Sequence, residues 1–314
     1  MINKELLNIL IKKIENIRRE NIEVSKFKEK IKTINIDNVA IREKREFAFI
    51  DSSYINGIIG PYAYIYAKAV ITGEKVYEEI RDIEVIPSIF ISSKEANHDL
   101  SQISSLVAKN LEYILAKKYS NKYIFIDGSI ISDGVLLSQF SYELDEENIE
   151  RIRKNFAENF VYMIEKGKLL AIAKRILNLK IFDHENKRIS DFQILLNIFP
   201  KEVFYTEIIE KNLGEIIKIK KEEGKIIFYN KNIYFIYFRT RPEDHIYRIE
   251  AIDNISKEEF LEIVKENIYL NASYPRYLKL SHNLCKITNK EKTAIERFMK
   301  KYLGYSYTSG WETH

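Results

Sequence analysis

The chain carries one phrase twice. Phe47-Ala48-Phe49-Ile50-Asp51-Ser52-Ser53 and Tyr123-Ile124-Phe125-Ile126-Asp127-Gly128-Ser129 each run apolar and aromatic residues into an aspartate and then small residues. Such a run reads as a buried strand, and the small residues as its exit into a turn. Two core strands would therefore end on carboxylates, which are costly to bury unless a metal or a cation pairs with them. Taken singly, either aspartate reads as a strand-end cap bonded to backbone N–H groups. Brought together, the two point to a divalent-metal site and phosphoryl-transfer or phosphodiester chemistry.

The elements between the phrases decide whether the aspartates can meet. Residues 58–72 and 76–88 read as two strands joined at Thr72-Gly73-Glu74-Lys75, and residues 96–118 as an amphipathic helix. Residues 123–127 form a fourth strand, with 134–140 as its partner beyond a turn at Ser132-Asp133-Gly134. Three antiparallel strands, a helix and a parallel fourth strand is the order of the ribonuclease H-like fold, an α/β architecture on a mixed sheet. In it the first and fourth strands are neighbours, so Asp51 and Asp127 meet. Further on, residues 145–166, 190–197, 256–268 and 288–303 read as helices. Residues 169–174 and three runs within 225–252 read as strands. Residues 3–32 read as a long helix, so a helical arm over 1–46 precedes a domain over 47–314, with helical additions at both ends.

Composition narrows the class. The single cysteine, Cys285, excludes an internal disulfide framework and a Cys-rich zinc site. With no apolar run long enough to span a bilayer and no leader pattern, a soluble, cytoplasmic protein without membrane partners is expected. No phosphate-binding loop is present, so the chain is not itself an ATP motor. The net charge of +4 is unevenly placed: residues 1–46 hold 12 Lys/Arg against 8 Asp/Glu, and residues 268–314 hold 8 against 3. Basic ends around an acidic middle suit a protein holding a polyanion against a metal centre. Solvated, lysine-rich helix faces account for the same numbers.

The helix over 96–118 can supply a third carboxylate, Glu112. Asp51, Glu112 and Asp127 would make an oxygen-only set suited to Mg²⁺ or Mn²⁺, with room for two ions about 3.5–4 Å apart. A second cluster is Tyr274-Pro275-Arg276-Tyr277-Leu278-Lys279-Leu280-Ser281-His282. His282 can complete a metal shell or handle a proton, and Tyr274 can orient a phosphate or stack on a base. Arg276 and Lys279 are natural phosphate contacts. The same run also reads as a proline turn and an ordinary amphipathic helix with a packed histidine. Arg239, Arg241 and Arg248 in the late hairpin either contact DNA or pair with Glu243 and Glu250, and Lys174 can point into the site. His98, His184, His245 and His314 show no ligand spacing.

At these residues the chain resembles the NurA family of archaeal and bacterial nucleases. The likeness rests on FAFIDSS, on the helix carrying Leu111-Glu112 before YIFIDGS, on YFIYFR and IYRIEAI, and on YPRYLKLSHNLCKI. The resemblance implies a ribonuclease H-like core in a toroidal homodimer. It implies Mn²⁺-dependent 5′–3′ exonuclease action on single- and double-stranded DNA, with some single-strand endonuclease action. It also implies work in DNA end resection and double-strand break repair beside the hexameric HerA helicase. Asp51, Glu112 and Asp127 are then metal ligands, and Tyr274 and His282 active-site residues. Ser52-Ser53 departs from the family's more usual Gly-Ser, which bears on turn geometry. The chain is also compact, which bears on the HerA partnership. Other readings are a non-catalytic DNA-binding or helicase-regulating subunit, or another ribonuclease H-like nuclease such as a resolvase.

Overall fold

The computed structural model describes residues 31–87, 100–139, 147–174, 190–221, 224–227, 230–270 and 274–302, together with Leu7 and Ile11. Most of the helix expected over 3–32 lies outside them, as do His98, His184 and His314. The chain from 31 to 46 lies against the domain: Ile36 is buried, and Lys265 Nζ donates to the carbonyls of Asp37 and Val39. No described helix is long and apolar enough to cross a membrane.

Strands β1 (Phe47–Ile59), β2 (Tyr62–Gly73) and β3 (Val76–Pro87) form an antiparallel meander. Helix α1 (Leu100–Lys118) follows, and β4 (Tyr123–Asp127) returns parallel to β1 with Ile50 opposite Ile126. Helices α2 (Ile130–Gln139) and α3 (Glu147–Lys166) lead to β5 (Lys168–Ala173), parallel to β4. This is the ribonuclease H-like order. Beyond it come α4 (Asp191–Ile198), β6 (Phe204–Tyr205), β7 (Ile209–Asn212) and the short α5 (Leu213–Ile216). A separate hairpin of β8 (Lys218–Lys221) and β9 (Gly224–Ile227) precedes β10 (Asn232–Arg239) and β11 (Tyr247–Ile252). The main sheet runs β3-β2-β1-β4-β5-β11-β10-β6, with β7 also on β10. The last described elements are α6 (Lys257–Val264), a π-helical turn (Lys265–Tyr269), α7 (Arg276–Cys285) and α8 (Asn289–Tyr302).

Strand side chains alternate between faces, so each apolar strand builds two cores. Ala48, Ile50, Ile124 and Ile126 pack with α1 and α3 on one side. Phe49, Phe125, Leu170 and Ile172 pack with α6 and α7 on the other, where the Phe49 and Phe125 rings stack at 5.1 Å. Asp51 shares the parity of Phe49 and so faces α7.

Two elements differ from the sequence reading. Strand β1 does not stop at Asp51 but stays paired with β2 through Ile59, turning at Gly60 (φ 58°) and Pro61. Residues 134–140 are not a strand. After Gly128 (φ 146°) the Ser129 hydroxyl accepts from Ser132 N–H at 3.2 Å and opens helix α2. Gly134 is interior to that helix because Ile217 lies against it, 2.4 Å from where a Cβ would sit.

Candidate metal centre

Strand β4 ends at Asp127 while β1 continues, which leaves a notch beside Asp51. His282 enters it from α7, with Nδ1 2.6 Å from Asp51 Oδ2 and 3.5 Å from Asp127 Oδ2. One ligand atom from each of Asp51, Asp127 and His282 lies within 4.8 Å of the others. The structure thus brings together both aspartates and the histidine that the sequence singled out.

Helix α7 is amphipathic, with Leu278, Ser281 and Cys285 buried at helical spacing. Ser281 Oγ donates to the Phe49 carbonyl at 2.7 Å, and Thr72 Oγ1 donates to the Tyr277 carbonyl at 2.9 Å. Ser53 Oγ donates to the Cys285 carbonyl. These bonds set where His282 stands over β1. Sequence reasoning missed Ser281, whose signal was a polar residue on the apolar stripe.

Lys174 Nζ donates to Asp127 Oδ2 at 2.7 Å and lies 4.3 Å from the centre of the Tyr274 ring. The Tyr274 hydroxyl is buried against the Asp127 carboxylate. Burial and the nearby Asp127 carboxylate push its pKa well up.

Glu112 reaches the notch from α1. Ser52 Oγ donates to its Oε1 at 2.5 Å and Lys109 Nζ to its Oε2 at 2.7 Å. The same Lys109 Nζ lies 3.6 Å from Asp133 Oδ1 and 3.5 Å from the Asp127 carbonyl. Glu112 therefore lines the centre with both its oxygens hydrogen-bonded, beside the trio of Asp51, Asp127 and His282. Lys109 and Asp133 went unrecognised in the sequence: Asp133 read as a turn residue, and Lys109 as one of many helix lysines.

The charges explain the protonation. Burial, with the Asp127 and Glu112 carboxylates beside it, raises the Asp51 pKa to about 8. Burial raises that of Glu112 as well. Burial and then Lys174 lower that of His282. At neutral pH the short Asp51–His282 contact is thus a carboxylic acid donating to a neutral imidazole, not an ion pair. Two carboxylates and one imidazole within ligand range of one another fit a divalent ion such as Mn²⁺.

Of the remaining predicted contacts, Arg276 and Lys279 are exposed on α7, and Arg241 is exposed in the turn after β10. Arg239 is buried and donates to the Phe199 carbonyl at 2.7 Å, which keeps it from the surface where a polyanion would lie. Arg248 is buried and paired with Glu250 at 2.5 Å, the second of the two roles its sequence position allowed.

Residues 45–287 match the NurA domain family. A DNA double-strand break repair nuclease NurA from Sulfolobus acidocaldarius is 26% identical over 189 residues, 55% of this chain and 54% of the relative. The chain thus spans about half the length of the curated relative it matches. The fold superposes on the crystal structure of the NurA nuclease from Sulfolobus solfataricus with a TM-score of 0.59, at 18% identity and with all of both chains covered. It superposes on a NurA bound to dAMP and manganese with a TM-score of 0.63, at 14% identity over 98% of each chain. With the match covering most of its length and the two aspartate strands in their expected places, the chain belongs to the NurA family.

Proposed function

We propose that this chain is a metal-dependent DNA nuclease acting in double-strand break repair. The observation that carries the reading is the convergence of Asp51, Asp127 and His282 beside the buried Tyr274 hydroxyl. Asp51, Asp127 and His282 would hold the ion. When bound, Mn²⁺, or Mg²⁺ in its place, would polarise a phosphodiester oxygen and make water a competent nucleophile. Lys174 and Tyr274 stand over Asp127, where they can pair with and orient a phosphate oxygen. Arg276 and Lys279, exposed on α7, and Arg241 would bind the backbone on either side.

The finer reading is 5′–3′ exonuclease action on single- and double-stranded DNA, with single-strand endonuclease action, in end resection in the cytoplasm. A homodimer working with a HerA-type hexameric helicase fits it, with residues 1–46 as an arm outside the 47–314 domain. The relative from Sulfolobus acidocaldarius is a repair nuclease by name, and manganese sits in a family member of the same fold, which supports the choice of reaction and ion.

The test uses DNA labelled at either end, with Mn²⁺, Mg²⁺ or EDTA. Cleavage should require the metal and fall at least about 100-fold in Asp51→Asn and Asp127→Asn, as when catalytic groups are removed. DNA binding should survive. Persistence of Mn²⁺-dependent cleavage in both variants would refute the assignment.

A further inference from the structure

We infer that the free edge of β1 beyond Asp51, with the hydroxyl-bearing stripe of α1 beside it, cradles one strand of the DNA substrate as it runs out from the metal centre. The inference rests on the nuclease reading above and extends it to Tyr54, Asn56, Ser101 and Ser105, which that reading does not use.

Strand β4 pairs with β1 only from Phe47 to Ile50, whereas β2 stays on the other edge of β1 through Ile59. From Asp51 onward no described strand covers the edge of β1 that faces the notch. Backbone N–H and C=O groups on such an edge are open to another partner. Ser52 to Gly57 are accordingly half-buried, while Ala63 to Thr72 of the neighbouring β2 are all buried.

Ser52, Tyr54 and Asn56 alternate onto the face of β1 that meets α1. Ser101, Ser105 and Lys109 recur every fourth residue along α1, in one stripe that leads to Glu112. The two rows touch. The Tyr54 hydroxyl lies 3.3 Å from Ser101 Oγ and accepts from Ser105 Oγ at 3.4 Å, and Asn56 Nδ2 donates to Ser104 Oγ at 2.9 Å. From Asp51 to Asn56 the row extends about 17 Å.

Its chemistry suits a nucleic-acid strand. The chain holds 46 Asp and Glu, yet β1 has no carboxylate after Asp51 and α1 none before Glu112, so a polyanion meets no repulsion along the row. Hydroxyls, amides and backbone N–H groups are the donors that position phosphates and sugars without reading bases. The Tyr54 contacts are longer than an ordinary O–H···O bond, so these hydroxyls are free to turn to a phosphate oxygen. A peptide strand can pair with an open edge too, but the continuity of the row with Asp51 favours the substrate.

The test places charge on the row. Ser101 is exposed, so Ser101→Lys and Ser101→Glu should both fold, which thermal unfolding checks. Binding of a fluorescent, cleavage-resistant single-stranded phosphorothioate oligonucleotide to the full chain is measured with Mn²⁺ across a salt series. Ser101→Lys should tighten binding and steepen the slope of log affinity against log salt by about 0.7, and Ser101→Glu should do the reverse. Val203→Lys adds the same charge at an exposed position beside β6, the far edge of the sheet, and should keep the native slope. Tyr54→Phe combined with Asn56→Ala should weaken binding about tenfold. Native slopes in both Ser101 variants, or an equal change in Val203→Lys, would overturn the inference while native cleavage leaves the nuclease reading standing. Absence of Mn²⁺-dependent cleavage by the native chain would instead bring down the nuclease reading itself.

Discussion

Asp51 keeps its proton to a pH at which an ordinary aspartate has long been ionised, and this sets a measurable dependence. An unfolded chain releases that proton near 3.8, the folded one near 8. Between those values the native state binds more protons, so the metal-free protein loses stability as pH rises through the window. Mn²⁺ must displace the same proton. Its affinity should therefore rise with pH by up to about tenfold per unit and flatten above about 8. Titrations of Mn²⁺ between about pH 6 and 9 should show that slope, and Asp51→Asn should remove both the slope and most of the affinity. A flat profile in the native chain would mean that Asp51 is not the proton lost.

At the scale of the element, α2 shows how packing overrides local composition. Its glycine suggested a turn, yet Gly134 sits in mid-helix because the Ile217 side chain fills the space beside it. Gly134→Ala should gain about 1 kcal/mol in helix propensity. It should lose about 1–3 kcal/mol by overpacking, since a Cβ would stand 2.4–2.9 Å from three atoms of Ile217. A net loss in urea denaturation is expected. A stabilised variant would show that Ile217 moves aside at little cost. The helix matters for the site because it carries Asp133, which anchors Lys109.

Across the whole molecule, the antiparallel half of the sheet braces the half that carries the aspartates. On β11, Arg248 and Glu250 form a buried pair. Arg248 donates to Ser129 Oγ at 3.3 Å, at the start of α2, and Glu250 accepts from Ile131 N–H at 3.5 Å. Arg248→Met leaves Glu250 as an uncompensated buried charge and should cost about 3–5 kcal/mol. Arg248→Met combined with Glu250→Leu should recover most of that. Thermal unfolding of the three proteins would show it, and additive losses would mean that the pair does not act as a unit. Because the brace ends on α2, the single variant should also weaken Mn²⁺ binding.

By itself the sequence determined what depends on neighbours along the chain. The strand β4, the turn at Gly73, and the helix starts at Ser190 and Ser256 are all written in local spacing, and all are present. So is the strand order that sets Asp51 beside Asp127, because a helix between two apolar strands leaves few ways to pair them. The tertiary structure decided what depends on close approach between distant segments. It chose helix over strand at 130–139, a short apolar run whose periodicity fits either. It buried Arg239 and left Arg276 exposed, though both are arginines near aromatic residues. It turned Glu112 toward Lys109 and Ser52, and set His282 over Asp51 through the Ser281 bond to β1. A side chain's periodicity is a property of its own segment, whereas its charge partner and its burial depend on which other segment comes within a few ångströms.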